Sequence, residues 1–155
     1  MLLWRRWGER RLQSDRGSAS LEFLGVGLLL LLPTVYLILV MAALQGAALA
    51  AEGAARHAAR MYAVSPDDAT GRERAERAIA FGLEDFGIHR STATVGVECR
   101  PRPASCLTRA GTITVVVRVE VVLPLLPEVV AVRSRGTVPV EASATAPVSR
   151  LWGSE

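Results

Sequence analysis

Three patterns of apolar and polar residues follow one another along this chain. An apolar stretch without charge runs from Phe23 to Leu44. Between Ala75 and Phe86, apolar residues recur at spacings of three and four, which is typical of an amphipathic helix. After Ser91, apolar and polar residues alternate with a period of two, which predicts β-strands.

The first pattern predicts a membrane-spanning helix. At about 1.5 Å per residue, the stretch forms a helix of roughly 33 Å, enough to cross a hydrocarbon core. Pro33 is compatible with this prediction, since membrane helices tolerate proline kinks. The alternative is a secretory signal cleaved after Ala50, but the apolar core of such a signal is typically about 7 to 15 residues, which is shorter.

The predicted helix continues to residue 62 with a mostly alanine sequence, in which Glu52 and Arg56 form a favourable i,i+4 pair. Small residues at every fourth position let helices approach closely. An alanine-rich composition produces the same ridges by chance, so the sequence leaves both interpretations open. The ridges consist of Ala43, Ala47, Ala51, Ala55 and Ala59, and of Gly46, Ala50, Ala54 and Ala58.

A second helix is predicted to end near Phe86, with Gly87 as its stop. Ser65 is expected to cap it, with Pro66 at its first position and Asp68 completing a capping box. Its apolar face is expected to contain Ala75, Ile79, Gly82, Leu83 and Phe86, and its polar face the pairs Arg72–Glu76 and Glu73–Arg77.

Three strands are predicted, around residues 93–99, 113–121 and 138–144, with Pro139 favouring an edge position for the third. The apolar segment Pro124–Val132 is either a buried loop or an exposed patch. The expected fold class is α+β, in which a long N-terminal transmembrane helix precedes a small domain with one helix on a three-stranded antiparallel sheet. The expected domains are a basic cytoplasmic leader (1–17), a transmembrane and extended helix (18–62) and an extracytoplasmic domain (63–155).

Charge predicts the orientation of the chain. The basic residues before the apolar stretch hold the N-terminus in the cytoplasm, so the chain after residue 45 lies outside it, anchored by a single span in the cell membrane. The pI of about 9.5 comes from arginine alone, without a basic recognition helix or an RNA-binding aromatic pattern, so no nucleic-acid partner is expected. The basic residues in question are Arg5, Arg6, Arg10, Arg11 and Arg16.

The two cysteines, Cys99 and Cys106, are predicted to form a disulfide that joins the first two strands, because a close pair outside the cytoplasm favours oxidation. A zinc site would need more ligands, and the two histidines lie far away in sequence. Neither a metal nor a cofactor is therefore expected. The sequence also lacks a nucleophile elbow, a phosphate-binding loop and a zinc-protease motif, so we expect neither an enzyme nor a small-molecule substrate.

One carboxylate needs an explanation. Glu22 lies at the start of the apolar stretch, where a charge is costly unless it remains among the lipid headgroups. That simple interpretation leaves Gly17 unexplained. Cleavage between Gly17 and Ser18 would free an amino group, and Glu22 would become the fifth residue of the mature chain. The two charges could then pair one helical turn apart, within one subunit or between neighbours.

The run from Arg16 to Phe23, with sequence RGSASLEF, resembles the processing site of prepilin-peptidase substrates. Together with the alanine-rich helix, the strand-rich end and the segment Pro124–Pro127, it resembles the TadE family of pseudopilins in tight-adherence (Flp-type) pilus systems. The resemblance implies processing at Gly17 and Ser18, and a role for Glu22 in assembly. It also implies partners: the membrane, a prepilin peptidase and other pilus or pseudopilin subunits.

Because Flp pilins are much shorter, the resemblance favours a minor subunit or assembly component. The competing hypothesis is a single-pass membrane anchor that carries an extracytoplasmic binding or sensing module. Such a module has no use for Gly17 or Glu22.

Overall fold

The computed structural model describes residues 18–123 and 136–153 of the chain. The leader and the segment Pro124–Val132 lie outside the described residues. The fold is α+β, as predicted, with a long helix, a second helix and a three-stranded antiparallel sheet. Its elements are α1 (Ser18–Ala63), α2 (Asp68–Glu84), a 3-10 turn (Arg90–Thr92), β1 (Ala93–Arg100), β2 (Thr112–Val122) and β3 (Thr137–Pro147).

The chain divides into two compact units, Met1–Val40 and Met41–Glu155. By its length and composition, α1 could cross a membrane. Its most apolar part has a mean hydropathy of 2.5, and 0% of that part is buried. The helix continues through Pro33. Beside it, the Thr34 hydroxyl donates a hydrogen bond to the Leu30 carbonyl over 2.8 Å, a local adjustment common next to helix prolines in membranes.

The core of the second unit is formed jointly by the carboxyl half of α1, by α2 and by one face of the sheet. A Cβ atom on Gly82 of α2 would lie 3.3 Å from the Cα and Cβ atoms of Ala54, so the two helix backbones approach closely. The alanine ridges are therefore a packing surface, and composition alone does not explain them. The buried residues of α1 are Ala47, Ala50, Ala51, Ala54, Ala55, Ala58, Ala59, Tyr62 and Ala63.

The sheet has the order β1-β2-β3 and is apolar on one face only. Its inner face carries four fully buried β2 residues, Ile113, Val115, Val117 and Val119. On the outer face, Arg118 pairs across the strands with Glu141, and the hydroxyls of Thr114 and Thr145 lie 2.8 Å apart. Such one-sided burial is common in antiparallel sheets. Pro139 lies on β3 at an edge of the described sheet, as predicted.

The start of α2 differs from the prediction. Asp67, and not Ser65, is the N-cap: its Oδ1 accepts a hydrogen bond from the Thr70 backbone N–H, and its Oδ2 accepts one from the Thr70 hydroxyl, both over 2.8 Å. Ser65 is buried, and its hydroxyl donates to the Met61 carbonyl at the end of α1. Phe86, expected on the apolar face, lies beyond the last residue of α2 and is 51% exposed.

The cap predicts an acid-sensitive contribution to stability. The Thr70 backbone and hydroxyl hydrogen bonds lower the pKa of the Asp67 carboxyl below its ordinary value of 3.8. A lowered pKa in the folded state stabilises the protein above the unfolded pKa, and this contribution disappears as the pH falls through the folded pKa. We therefore expect Asp67→Ala to lower the thermal unfolding midpoint of the full chain in detergent more at neutral than at strongly acidic pH.

Asp67→Asn is the control for this prediction, because asparagine also caps helices but does not titrate. It is expected to lower the midpoint less than Asp67→Ala at neutral pH. An equal effect of Asp67→Ala at both pH values would contradict the prediction.

Candidate functional site

The candidate site is the amino end of α1. Ser18 is the first described residue of α1, and Glu22 follows four positions later. Side chains four positions apart lie on the same helix face, with about 5–6 Å between their Cβ atoms. The helix therefore brings the Ser18 and Glu22 positions together along one face. Gly17 lies outside the described residues.

Glu22 is exposed among exposed apolar neighbours. Leu21 and Phe23 are 73% and 78% exposed. Glu22 is the only charged residue from Ser18 to Ala51. Among the described residues, the salt bridges lie elsewhere, and none of them includes the Glu22 carboxylate. The site thus presents one carboxylate on a helical surface that is otherwise uncharged. No cation among residues 18–123 and 136–153 forms a salt bridge with it.

A free amino group at Ser18 would lie at the start of a helix, near the Glu22 carboxylate. The first N–H groups of a helix carry the positive end of its dipole, so a free amino group at Ser18 would be repelled there. A carboxylate one turn away offsets that repulsion. Removal from water strengthens the attraction: it is about four times stronger at an effective dielectric constant of 20 than in bulk water. If Ser18 became an amino terminus, Glu22 would lie one helical turn from the new ammonium group.

Cys99 and Cys106 form a disulfide with their Cα atoms 5.0 Å apart. Cys99 lies near the end of β1, but Cys106 precedes β2, which begins at Thr112. The bond therefore links β1 to the connection that follows it. The sequence had predicted a disulfide that joins the first two strands directly, and this part of the prediction is wrong. The adjacent Leu107 N–H donates to Oδ1 of Asp68 over 3.3 Å, which links the same connection to the start of α2.

The structure also shows a cluster around the α1–α2 turn that the sequence did not predict. Tyr62 is fully buried, with its hydroxyl 3.4 Å from Oδ1 of Asp68. The indole N–H of Trp152 donates to the Ser65 carbonyl over 3.2 Å. Arg109 donates in turn to the Trp152 carbonyl over 2.9 Å. The contacts of Trp152 with Ser65 and with Arg109 join residues 87 and 43 positions apart in sequence, so no local pattern reveals them.

Four ion pairs link charged residues elsewhere in the described chain. The predicted pair of Glu73 and Arg77 is present at 3.3 Å. Glu76 was predicted to pair with Arg72, but it pairs with Arg90 over 2.7 Å. Within residues 18–123 and 136–153, no group of three or more His, Cys, Asp or Glu side chains is placed to hold a metal ion.

No family model, curated protein or solved structure matches this chain. The functional interpretation consequently depends on the chemistry of the residues themselves.

Proposed function

We propose that this chain is a pilin-like, TadE-type minor subunit or assembly component of a type IV (Flp-type) pilus. A prepilin peptidase cleaves it after Gly17, and α1 holds it in the cell membrane. The observation that carries the proposal is the Glu22 carboxylate, which has no partner among the described residues and lies one turn from Ser18 on an exposed apolar helix.

The apolar surface of the first unit supports a lipid or helical environment. Thirteen large apolar side chains of its described part are between 43% (Leu39) and 78% (Phe23) exposed. Exposed apolar surface of this extent marks an interaction with a membrane or with another protein. A pilin-like subunit uses both, since its helix lies in lipid before assembly and against other helices afterwards. These side chains are Leu21, Phe23, Leu24, Val26, Leu28, Leu29, Leu30, Leu31, Leu32, Val35, Leu37, Ile38 and Leu39.

Two independent features support the proposed orientation, with the amino terminus in the cytoplasm and the second unit outside. The arginine-rich leader favours retention on the cytoplasmic side. The disulfide between Cys99 and Cys106 favours an oxidising compartment for the second unit. Both features agree with a single span formed by α1.

The pairing of Ser18 with Glu22 gives the carboxylate a role in assembly. In the membrane, an unpaired carboxylate is costly away from the headgroups. Cleavage after Gly17 supplies an ammonium group within one helical turn, from the same chain or from a neighbour. A neighbour's ammonium group would fix the axial position of one subunit against the next, so the pairing would select the assembled register.

The test is the amino-terminal sequence of the membrane form, obtained with and without a co-expressed prepilin peptidase. We expect Ser18 as the first residue with the peptidase and Met1 without it. Gly17→Ala is expected to slow cleavage, because the resemblance assigns recognition to this glycine. Gly25→Ala is the matched control: Gly25 lies within α1 with nothing within 4 Å of an added Cβ, and cleavage should continue as in the wild type.

Two results would count against the proposal. An intact leader in the presence of an active peptidase would favour the anchored binding or sensing module. A start near Glu52 would instead indicate a cleaved secretory signal.

A further inference from the structure

An open cavity of about 440 Å³ lies in the second unit, beside the turns of α1 that follow the apolar stretch. Its α1 wall consists of small residues, including Ala42 and Gly46. The other walls come from the connection between α2 and β1 and from the end of β2. The cavity thus brings three separate parts of the chain to one surface.

Phe86 is the largest apolar side chain of this surface. Its Cδ1 atom lies 4.0 Å from the position that a Cβ on Gly46 would occupy, so the ring sits against α1. Phe86 nevertheless remains 51% exposed, and Val122, which lines the same cavity, is 73% exposed. We name Ala42, Gly46, Phe86 and Val122 the Phe86 patch.

The position of the patch along α1 indicates what covers it. The apolar stretch ends at Leu44, and Gly46 lies only about 3 Å further along the helix axis at 1.5 Å per residue. When that stretch fills the hydrocarbon core, the α1 part of the patch lies where acyl chains meet headgroups. Phenylalanine is among the residues that interfacial helices bury at this boundary of headgroups and acyl chains.

The polar residues of the cavity suit the same environment. His89, Thr92 and Glu120 complete its lining. Their polar groups can face headgroups and water while Phe86 enters the apolar layer.

We propose that the Phe86 patch binds the lipid bilayer, with the Phe86 ring inserted among acyl chains at the interface. This inference rests on the membrane-spanning role of α1 in the proposed function. Insertion would give the second unit a second contact with the bilayer, 40 residues after Gly46 in sequence. The unit would then keep a fixed height and rotation at the membrane surface before it joins other subunits.

Site-directed spin labelling of the full chain tests this proposal in vesicles of phosphatidylcholine and phosphatidylglycerol. Because both native cysteines form the disulfide, one introduced cysteine is the only free thiol. Leu30→Cys reports on the span, while Phe86→Cys and Val122→Cys report on the patch. Phe81→Cys is the matched control, since Phe81 is 71% exposed but lines a different groove with His57 and Met61. Circular dichroism verifies that each labelled variant is folded.

We expect the labels at residues 30, 86 and 122 to collide several-fold more often with oxygen than with a water-soluble nickel complex, and the label at residue 81 to show the opposite preference. A water-exposed label at residue 86 beside a lipid-exposed label at residue 30 would overturn the inference alone. A water-exposed label at residue 30 would overturn the membrane span as well.

Two further outcomes would also overturn the inference. Lipid exposure at both residue 81 and residue 86 would show that contact is not specific to the patch. Protection of residue 86 from oxygen and nickel together would indicate that a protein, such as a second copy of the chain, covers it.

Discussion

Glu22→Ala is expected to reach the membrane at the wild-type level but to lose most of its co-purification with other pilus subunits. The apolar stretch from Phe23 to Leu44 inserts without the carboxylate, so membrane fractionation should remain normal. Assembly should suffer, because the Ser18 amino group freed by cleavage would have no carboxylate within one helical turn. Immunoblots of membrane fractions and quantitative pull-down of the full chain measure the two effects separately.

Two variants sharpen this test. Glu22→Asp keeps the charge but shortens its reach, so its co-purification should be intermediate. Glu52→Ala removes another exposed carboxylate of α1, which pairs with Arg56. Exposed pairs of this kind contribute little, so Glu52→Ala should assemble like the wild type. Full assembly of the Glu22→Ala variant would favour the anchored binding or sensing module.

Gly71→Ala is expected to destabilise the second unit by about 1–3 kcal/mol, the usual range for overpacking a core. A Cβ on Gly71 would lie 2.7 and 2.8 Å from the Cδ1 and Cε1 atoms of Tyr62. Tyr62 is fully buried, so its ring has no free space to move into. The loss should exceed the gain of up to about 1 kcal/mol that alanine brings to a helix. Denaturant unfolding of the full chain in detergent measures the change.

Gly53→Ala is the matched control for this prediction. Gly53 lies within α1, is exposed, and has nothing within 4 Å of an added Cβ. Its replacement should leave stability unchanged or raise it by up to about 1 kcal/mol, since glycine weakens helix interiors. If both substitutions have the same effect, the close contact between α2 and Tyr62 does not control stability.

Local patterns in the sequence predicted most of the fold. The long apolar stretch and the alanine-rich segment after it predicted α1 nearly to its last residue, Ala63. Alternation with a period of two predicted three strands, because the same alternation separates buried and exposed faces of the sheet. The pairing of Cys99 with Cys106 was correct, since the chain has two cysteines and they lie seven residues apart.

Features that depend on distant contacts were beyond the sequence. Ser65 looked like a cap, but the close packing around Tyr62 and Trp152 buries it, and Asp67 caps α2 instead. Phe86 fitted the helical spacing, but α2 ends at Glu84, so the ring leaves the apolar face. At the candidate site, the sequence supplied the order of Gly17, Ser18 and Glu22. The structure shows that Glu22 is exposed on α1.

Because its indole N–H donates a hydrogen bond to the Ser65 carbonyl, Trp152 is placed to report on folding by its fluorescence. The chain contains three tryptophans, at positions 4, 7 and 152. Cleavage after Gly17 would remove the first two and leave Trp152 as the sole indole fluorophore of the mature protein. Its half-buried ring sits beside the α1–α2 turn, so its emission would follow the docking of the carboxyl-terminal segment without any label. A single spectrum would then monitor processing through intensity and folding through wavelength.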